Sequence, residues 1–202
     1  MSRFLCSLSA IALMALSAPL AAQEQADTET QEEEARPDSA LSLGEEDTDG
    51  PRLGETYVTE EIGDWEIQCI RTEQDEDPCT MYQLLSDDEG NPVAEVSIFR
   101  LPSGGQAVAG ATIIVPLETL LTEQLRLSVD AGQGKRYPFS FCNQIGCYSR
   151  IGLTEEDVNA FKRGATASVR IVPFPAPDQI VTLEMSLSGF TASYDKVSVI
   201  EN

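Results

Sequence analysis

The sequence predicts an all-β protein built from two packed antiparallel sheets with one short helix, and three observations carry that expectation. Apolar and polar residues alternate along several short runs, Gly- and Pro-bearing turn segments separate those runs, and a single segment shows helical signals. An open barrel is the competing architecture.

The first element in chain order is not part of that fold. Residues 1–22 carry the marks of a secretory signal: Arg3 near the start, an apolar run from Phe4 to Leu20, and the small residues Ala21 and Ala22. Ser7, Ser9, Ser17 and Pro19 interrupt the run and no stop-transfer segment follows, so cleavage is favoured over a membrane anchor. The mature chain is expected to begin near Gln23 without a transmembrane helix, and Cys6 is expected to leave with the signal. Residues 23–56 are expected to be a disordered acidic linker. Gln23 to Gly50 holds eleven acids against the single base Arg36, with almost no aromatic or β-branched residues, too little apolar surface to offset chain ordering.

Residues 57–202 are expected to form the folded domain. Trp65, Ile67 and Cys69 alternate with Glu66 and Gln68, which puts the apolar side chains on one face of a strand. After the turn-forming run Asp87-Asp88-Glu89-Gly90-Asn91-Pro92, Ala94, Val96 and Ile98 repeat the pattern. So do Leu125, Leu127 and Val129, and later Val181, Leu183, Met185 and Leu187. Weaker strand signals cover 80–85, 107–115, 136–141, 147–151 and 165–172. The helix is expected after Thr154, an N-cap residue followed by Glu155, Glu156 and Asp157. Val158 and Phe161 share a face, Lys162 and Arg163 lie in the last turn, and Gly164 stops the helix. The charges at each end match the helix dipole, so the three carboxylates need no chemical role.

Four cysteines remain after signal removal: Cys69, Cys79, Cys142 and Cys147. An even number in an exported chain reads as two disulfides. Three pairings are open; the local pairs Cys69 with Cys79 and Cys142 with Cys147 are preferred because each flanks a short polar or Gly-containing loop. Each bridge would contribute roughly 2–3 kcal/mol in the loop-entropy description. The spacings lack the tight hooks of a zinc site and the two-residue gap of a redox pair.

Charge and composition exclude several function classes. The chain carries 13 basic and 34 acidic residues, no histidine and a formal net charge of -21, which argues against a nucleic-acid partner. The absence of histidine removes Ser-His and Cys-His nucleophile arrangements and His-based metal sites. A carboxylate enzyme is the remaining catalytic alternative, but Asp64, Glu66 and Glu95 fall on wet strand faces or in turns, where acids serve solubility. No catalytic residue, metal site or cofactor is assigned. Trp65, beside Cys69 on its own face, reads as core, as do Phe139, Phe141 and Phe190. Val172-Pro173-Phe174-Pro175-Ala176-Pro177 differs: its prolines stiffen an extended segment expected to present Phe174 outward as a partner contact.

Three segments carry a family resemblance: Gly63-Asp64-Trp65-Glu66-Ile67-Gln68-Cys69, the stretch from Pro138-Phe139 through Cys142 to Gly146-Cys147, and Ser186-Leu187-Ser188-Gly189-Phe190. Their order and context are similar to the invasion-associated locus B family, over about Ile62 to Val197. The resemblance implies an immunoglobulin-like β-sandwich exported by an alphaproteobacterium, two local disulfides, and an association with entry into host cells in a pathogenic branch. It brings no catalytic residues. The leading expectation is a periplasmic or outer-membrane-associated binding protein whose partner is an envelope or host-surface protein. A periplasmic accessory subunit of a membrane complex is the alternative.

Overall fold

A computed structural model describes Gly44 and residues 50–200. The signal peptide expected at 1–22 and most of the linker expected at 23–56 lie outside the described residues. Eleven strands and two α-helices follow in the order β1 Thr56–Ile62, β2 Trp65–Ile70, β3 Cys79–Ser86, β4 Pro92–Arg100, β5 Ala109–Val115, β6 Leu125–Val129, β7 Lys135–Tyr137, β8 Phe141–Cys142, β9 Cys147–Leu153, α1 Glu155–Arg163, β10 Thr166–Ile171, β11 Val181–Ser186 and α2 Phe190–Lys196. They form a seven-stranded sheet in the order β1-β2-β3-β4-β5-β9-β8 and a four-stranded sheet in the order β11-β10-β6-β7. All neighbours pair antiparallel. This is the expected all-β, two-sheet architecture, immunoglobulin-like in its layering.

The period-two pattern explains why the sheets pack. Trp65 and Ile67 on β2, Met81 and Leu85 on β3, Val96 and Ile98 on β4, Ile113 and Val115 on β5 and Ile151 and Leu153 on β9 all point inward and are buried. Leu125 and Leu127 on β6, Val169 on β10, and Leu183 and Met185 on β11 meet them in one continuous core. Fully burying such side chains stabilises by about 1.5–3 kcal/mol each. Among the buried polar residues, Gln83 joins the two sheets. Gln83 donates through Nε2 to the carbonyls of Asp64 (2.9 Å) and Ser186 (3.2 Å), and its Oε1 accepts from the Ser186 N–H (2.7 Å). Trp65 Nε1 donates to the same Ser186 carbonyl at 3.0 Å. Two side chains of the large sheet therefore satisfy both backbone groups of Ser186 at the end of β11.

Helix α1 starts as its sequence dictates. The Thr154 hydroxyl accepts from the Asp157 N–H and the Asp157 carboxylate accepts from the Thr154 N–H, a reciprocal capping box. Gly164 ends it for a packing reason: a Cβ there would run into Val129 and Leu187, and its backbone is extended rather than left-handed.

Four expectations need correction. The single short helix has a companion, α2, whose Phe190 makes ring contacts with Trp65, Phe161 and Tyr194. The strand expected over 136–141 is two strands in different sheets, β7 and β8, because Pro138 between them has no N–H to continue a ladder. A strand not expected at all, β1, forms the edge of the large sheet; a register shift between Val58 and Glu60 breaks its alternation. Finally, Phe141 is not core. It lies on the short edge strand β8, 45% exposed and stacked on Tyr148 at 4.6 Å.

Candidate functional site

The cysteines pair locally, Cys69 with Cys79 and Cys142 with Cys147. Each pair is in direct cross-strand register, the first on β2 and β3, the second on β8 and β9. Following the register across the sheet places them at diagonally opposite corners: Cys79 lies level with Arg100 and Leu153, Cys147 level with Val115.

At the Cys69 corner the polar groups are spent on the fold. The Asp77 carboxylate accepts from the Tyr57 hydroxyl at 2.6 Å and the Thr72 N–H at 2.8 Å, and it pairs with Arg71 at 3.0 Å. The Tyr57 hydrogen bond is the main reason its pKa lies below the ordinary carboxylate value. This loop is pinned and displays charge.

The Cys142 corner does the opposite. The hairpin Asn143-Gln144-Ile145-Gly146 is closed by its disulfide and by Asn143, whose Oδ1 accepts from the N–H groups of Ile145 (2.8 Å) and Gly146 (3.3 Å). At its tip Ile145 is 71% exposed. Ile145 also lines a small recess of about 120 Å³ with Leu84, Val93, Ile114 and Pro116. From Pro116 the chain enters Leu117-Glu118-Thr119-Leu120-Leu121, and this segment clasps the proline loop. Leu120 N–H donates to the Val172 carbonyl (2.7 Å), Phe174 N–H donates to the Glu118 carbonyl (2.6 Å), and Thr119 bridges Pro173. Two further turns close the loop, Ala176 N–H to Pro173 and Gln179 N–H to Ala176.

The proline segment thus has a fixed backbone and an apolar surface. Phe174 is 67% exposed, and Leu117, Leu121 and Ile180 are exposed on the same two segments. Covering Phe174 on a partner would yield about 1–2 kcal/mol from its remaining apolar surface, at little entropic cost in a clasped loop. The sequence pointed to Phe174 and missed Ile145. The available signal for Ile145 was a lone branched apolar residue in a polar loop closed by two cysteines.

The other residues considered from the sequence are placed in structural roles. Trp65 is buried, edge-on to Phe190 at 5.7 Å. The Asp64 carboxylate accepts from the Ser186 hydroxyl. Glu66 accepts from Gln68 Nε2 at 2.8 Å, and Glu95 sits two strands away on the same outer face. Tyr82 lies between those two carboxylates; burial and then their charges raise its hydroxyl above the ordinary value. A cleft of about 680 Å³ opens between α1 and the β6–β7 hairpin, where Lys135 Nζ meets Asp157 Oδ1 at 2.5 Å. Burial alone would push the Asp157 carboxyl up, but the Lys135 ammonium and the Thr154 donors outweigh it and hold it low. That carboxylate already serves the helix cap and the ion pair.

Comparison with known proteins agrees with this geometry. The family model described as Invasion associated locus B (IalB) protein matches residues 65–198. Invasion protein B homologs from Brucella abortus (strain 2308) and Brucella abortus biovar 1 (strain 9-941) are each 25% identical over 147 residues, covering 73% of this chain and 83% of the relative. The crystal structure of invasion associated protein b from Bartonella henselae superposes with a TM-score of 0.57 at 25% identity, covering 68% of this chain and 93% of that one.

Proposed function

The chain belongs to the invasion associated locus B family, and from that premise we propose that it is an exported cell-envelope protein acting by protein–protein contact rather than by catalysis. The observation that carries the reading is the pair of stiffened loops, one closed by Cys142–Cys147 and one by prolines and the 118–120 clasp, which hold Ile145 and Phe174 out in solvent. Large apolar side chains on pre-ordered backbone are the ordinary anchors of an interface. Export is supported by the signal-like residues 1–22 and by disulfides, which persist in oxidising compartments. The two Brucella relatives are named invasion protein B homologs, which supports extending the contact to a host-cell surface in the bacteria that meet one.

The test is crosslinking with mass spectrometry on intact cells of the native host, comparing the full chain with a double variant, Ile145→Ser and Phe174→Ala. Both side chains are exposed, so folding should survive. The wild-type chain should capture a reproducible envelope protein that the variant fails to capture; identical captured sets for the two chains would overturn the reading.

A further inference from the structure

The outer face of the four-stranded sheet carries an arrangement that the loop contacts do not use. Cross-strand register places Arg170 on β10 opposite Arg126 on β6, and Arg126 opposite Arg136 on β7. Three of the chain's 13 basic residues thus stand in one row, in a protein of net charge -21. Neighbouring strands lie about 4.8 Å apart, so the row spans about 10 Å at the backbone. Like charges directly opposite on a sheet repel, and a row of three is not an arrangement that stability alone would select.

The row is also short of partners. Among the described residues Arg126 pairs with Glu123 alone, at 3.4 Å. Arg136 is exposed, and neither it nor Arg170 has an ion pair or side-chain hydrogen bond among the described residues. The Nε of Arg170 is buried without an acceptor among the described residues. A buried donor without a protein partner calls for an explanation. The next row on the same face holds Ser168 opposite Ser128, and then Gly134. A Cβ at Gly134 would come within 3.7 Å of Arg170 Nη2, so the Arg170 side chain reaches across β6 toward that glycine. Glu184 stands across from Ser168 on β11 and makes no ion pair with Arg170.

We propose that this face binds a small soluble molecule carrying two phosphate groups, held by the guanidinium groups of Arg126, Arg136 and Arg170. Guanidinium donors match phosphate oxygens in fork geometry, and three in a row suit a diphosphate better than a single carboxylate. The row spans only about 10 Å at the backbone, the scale of one small solute rather than of a lipid surface. The row stands on β10, β6 and β7 just before the loop that displays Phe174, and it uses neither Ile145 nor Phe174 as a ligand.

Pyrophosphate is the probe. Titrated into the full chain at matched ionic strength, it should bind saturably by calorimetry and raise the melting temperature, where sodium chloride does not. Arg136→Gln should weaken binding about tenfold. With pyrophosphate absent it should melt no lower than the wild type, since it relieves like-charge repulsion; a merely structural arginine would lower it. The triple variant Arg126→Gln, Arg136→Gln, Arg170→Gln should lose the pyrophosphate response altogether, and Arg136→Gln alone carries the test if that variant misfolds. An equal pyrophosphate response in wild type and variant, or binding confined to phosphatidylglycerol vesicles, would overturn the proposal.

Discussion

The seam around Trp65 and the loop end around Phe174 both set large apolar side chains on fixed backbone, and they use them in opposite ways. In the seam, Phe190 sits among Trp65, Phe161 and Tyr194, and Gln83 meets both backbone groups of Ser186. Gly63 and Gly189 allow two backbones to touch there: each has a positive φ, and a Cβ on either would fall on a carbonyl oxygen, Ser188 for Gly63 and Ile62 for Gly189. At the loop end the backbone is equally well fixed, yet Phe174 and Ile145 remain in solvent. Rigidity closes the core in one region and presents side chains in the other. The contrast separates residues that hold the molecule together from those free to meet something else.

The largest blow to that contrast comes from Gly189→Ala. Forcing a Cβ into a left-handed position against the Ile62 carbonyl should cost about 3 kcal/mol or more, measured by urea unfolding; a cost below about 1 kcal/mol would mean the seam is not tightly closed. Removing a disulfide should come next. Cys69→Ser with Cys79→Ser should cost about 2.8 kcal/mol and Cys142→Ser with Cys147→Ser about 2.2 kcal/mol, because the first closes the longer loop. The reverse order would show that native contacts, not loop length, set the difference.

A smaller effect concerns acid. Asp157 and Asp77 both have folded-state pKa values below their ordinary ones. The stability they contribute is therefore complete above about pH 4 and is lost as the pH falls through the folded values. Asp157→Asn should flatten the acid limb of a stability-against-pH series, with a loss of about 0.2–1 kcal/mol at neutral pH for a partly exposed pair. An unchanged acid limb would remove Asp157 from the account. The smallest effect is the most informative about function: Phe174→Ala should change stability by less than about 0.5 kcal/mol. A larger loss would turn the exposed ring into a structural one.

Much of this fold was legible because one face of most strands is wet. The alternation in Trp65-Glu66-Ile67, Ala94-Glu95-Val96 and Leu183-Glu184-Met185 assigns both strand and inner face. The capping box at Thr154 was equally readable, because its chemistry is local. What escaped depends on distant partners. The register shift in β1 hides its period. Helix α2 is only seven residues long, and its apolar spacing at Phe190, Tyr194 and Val197 gains meaning only where Trp65 and Phe161 receive it. Gln83 stands in an apolar alternation between Met81 and Leu85, and nothing local reveals that it waits for Ser186, more than a hundred residues away. The same holds for the arginine row: Arg126, Arg136 and Arg170 are scattered in sequence and meet only through register.

Both sulfur bridges join neighbours within the seven-stranded sheet, and none runs across to the other layer. Cohesion between the layers therefore rests on apolar contact and on the hydrogen bonds that Trp65, Gln83 and Asp64 make to Ser186, and thiol reagents act on the corners instead. Opening Cys142–Cys147 should slacken the tip that carries Ile145 without cutting any covalent link between the layers.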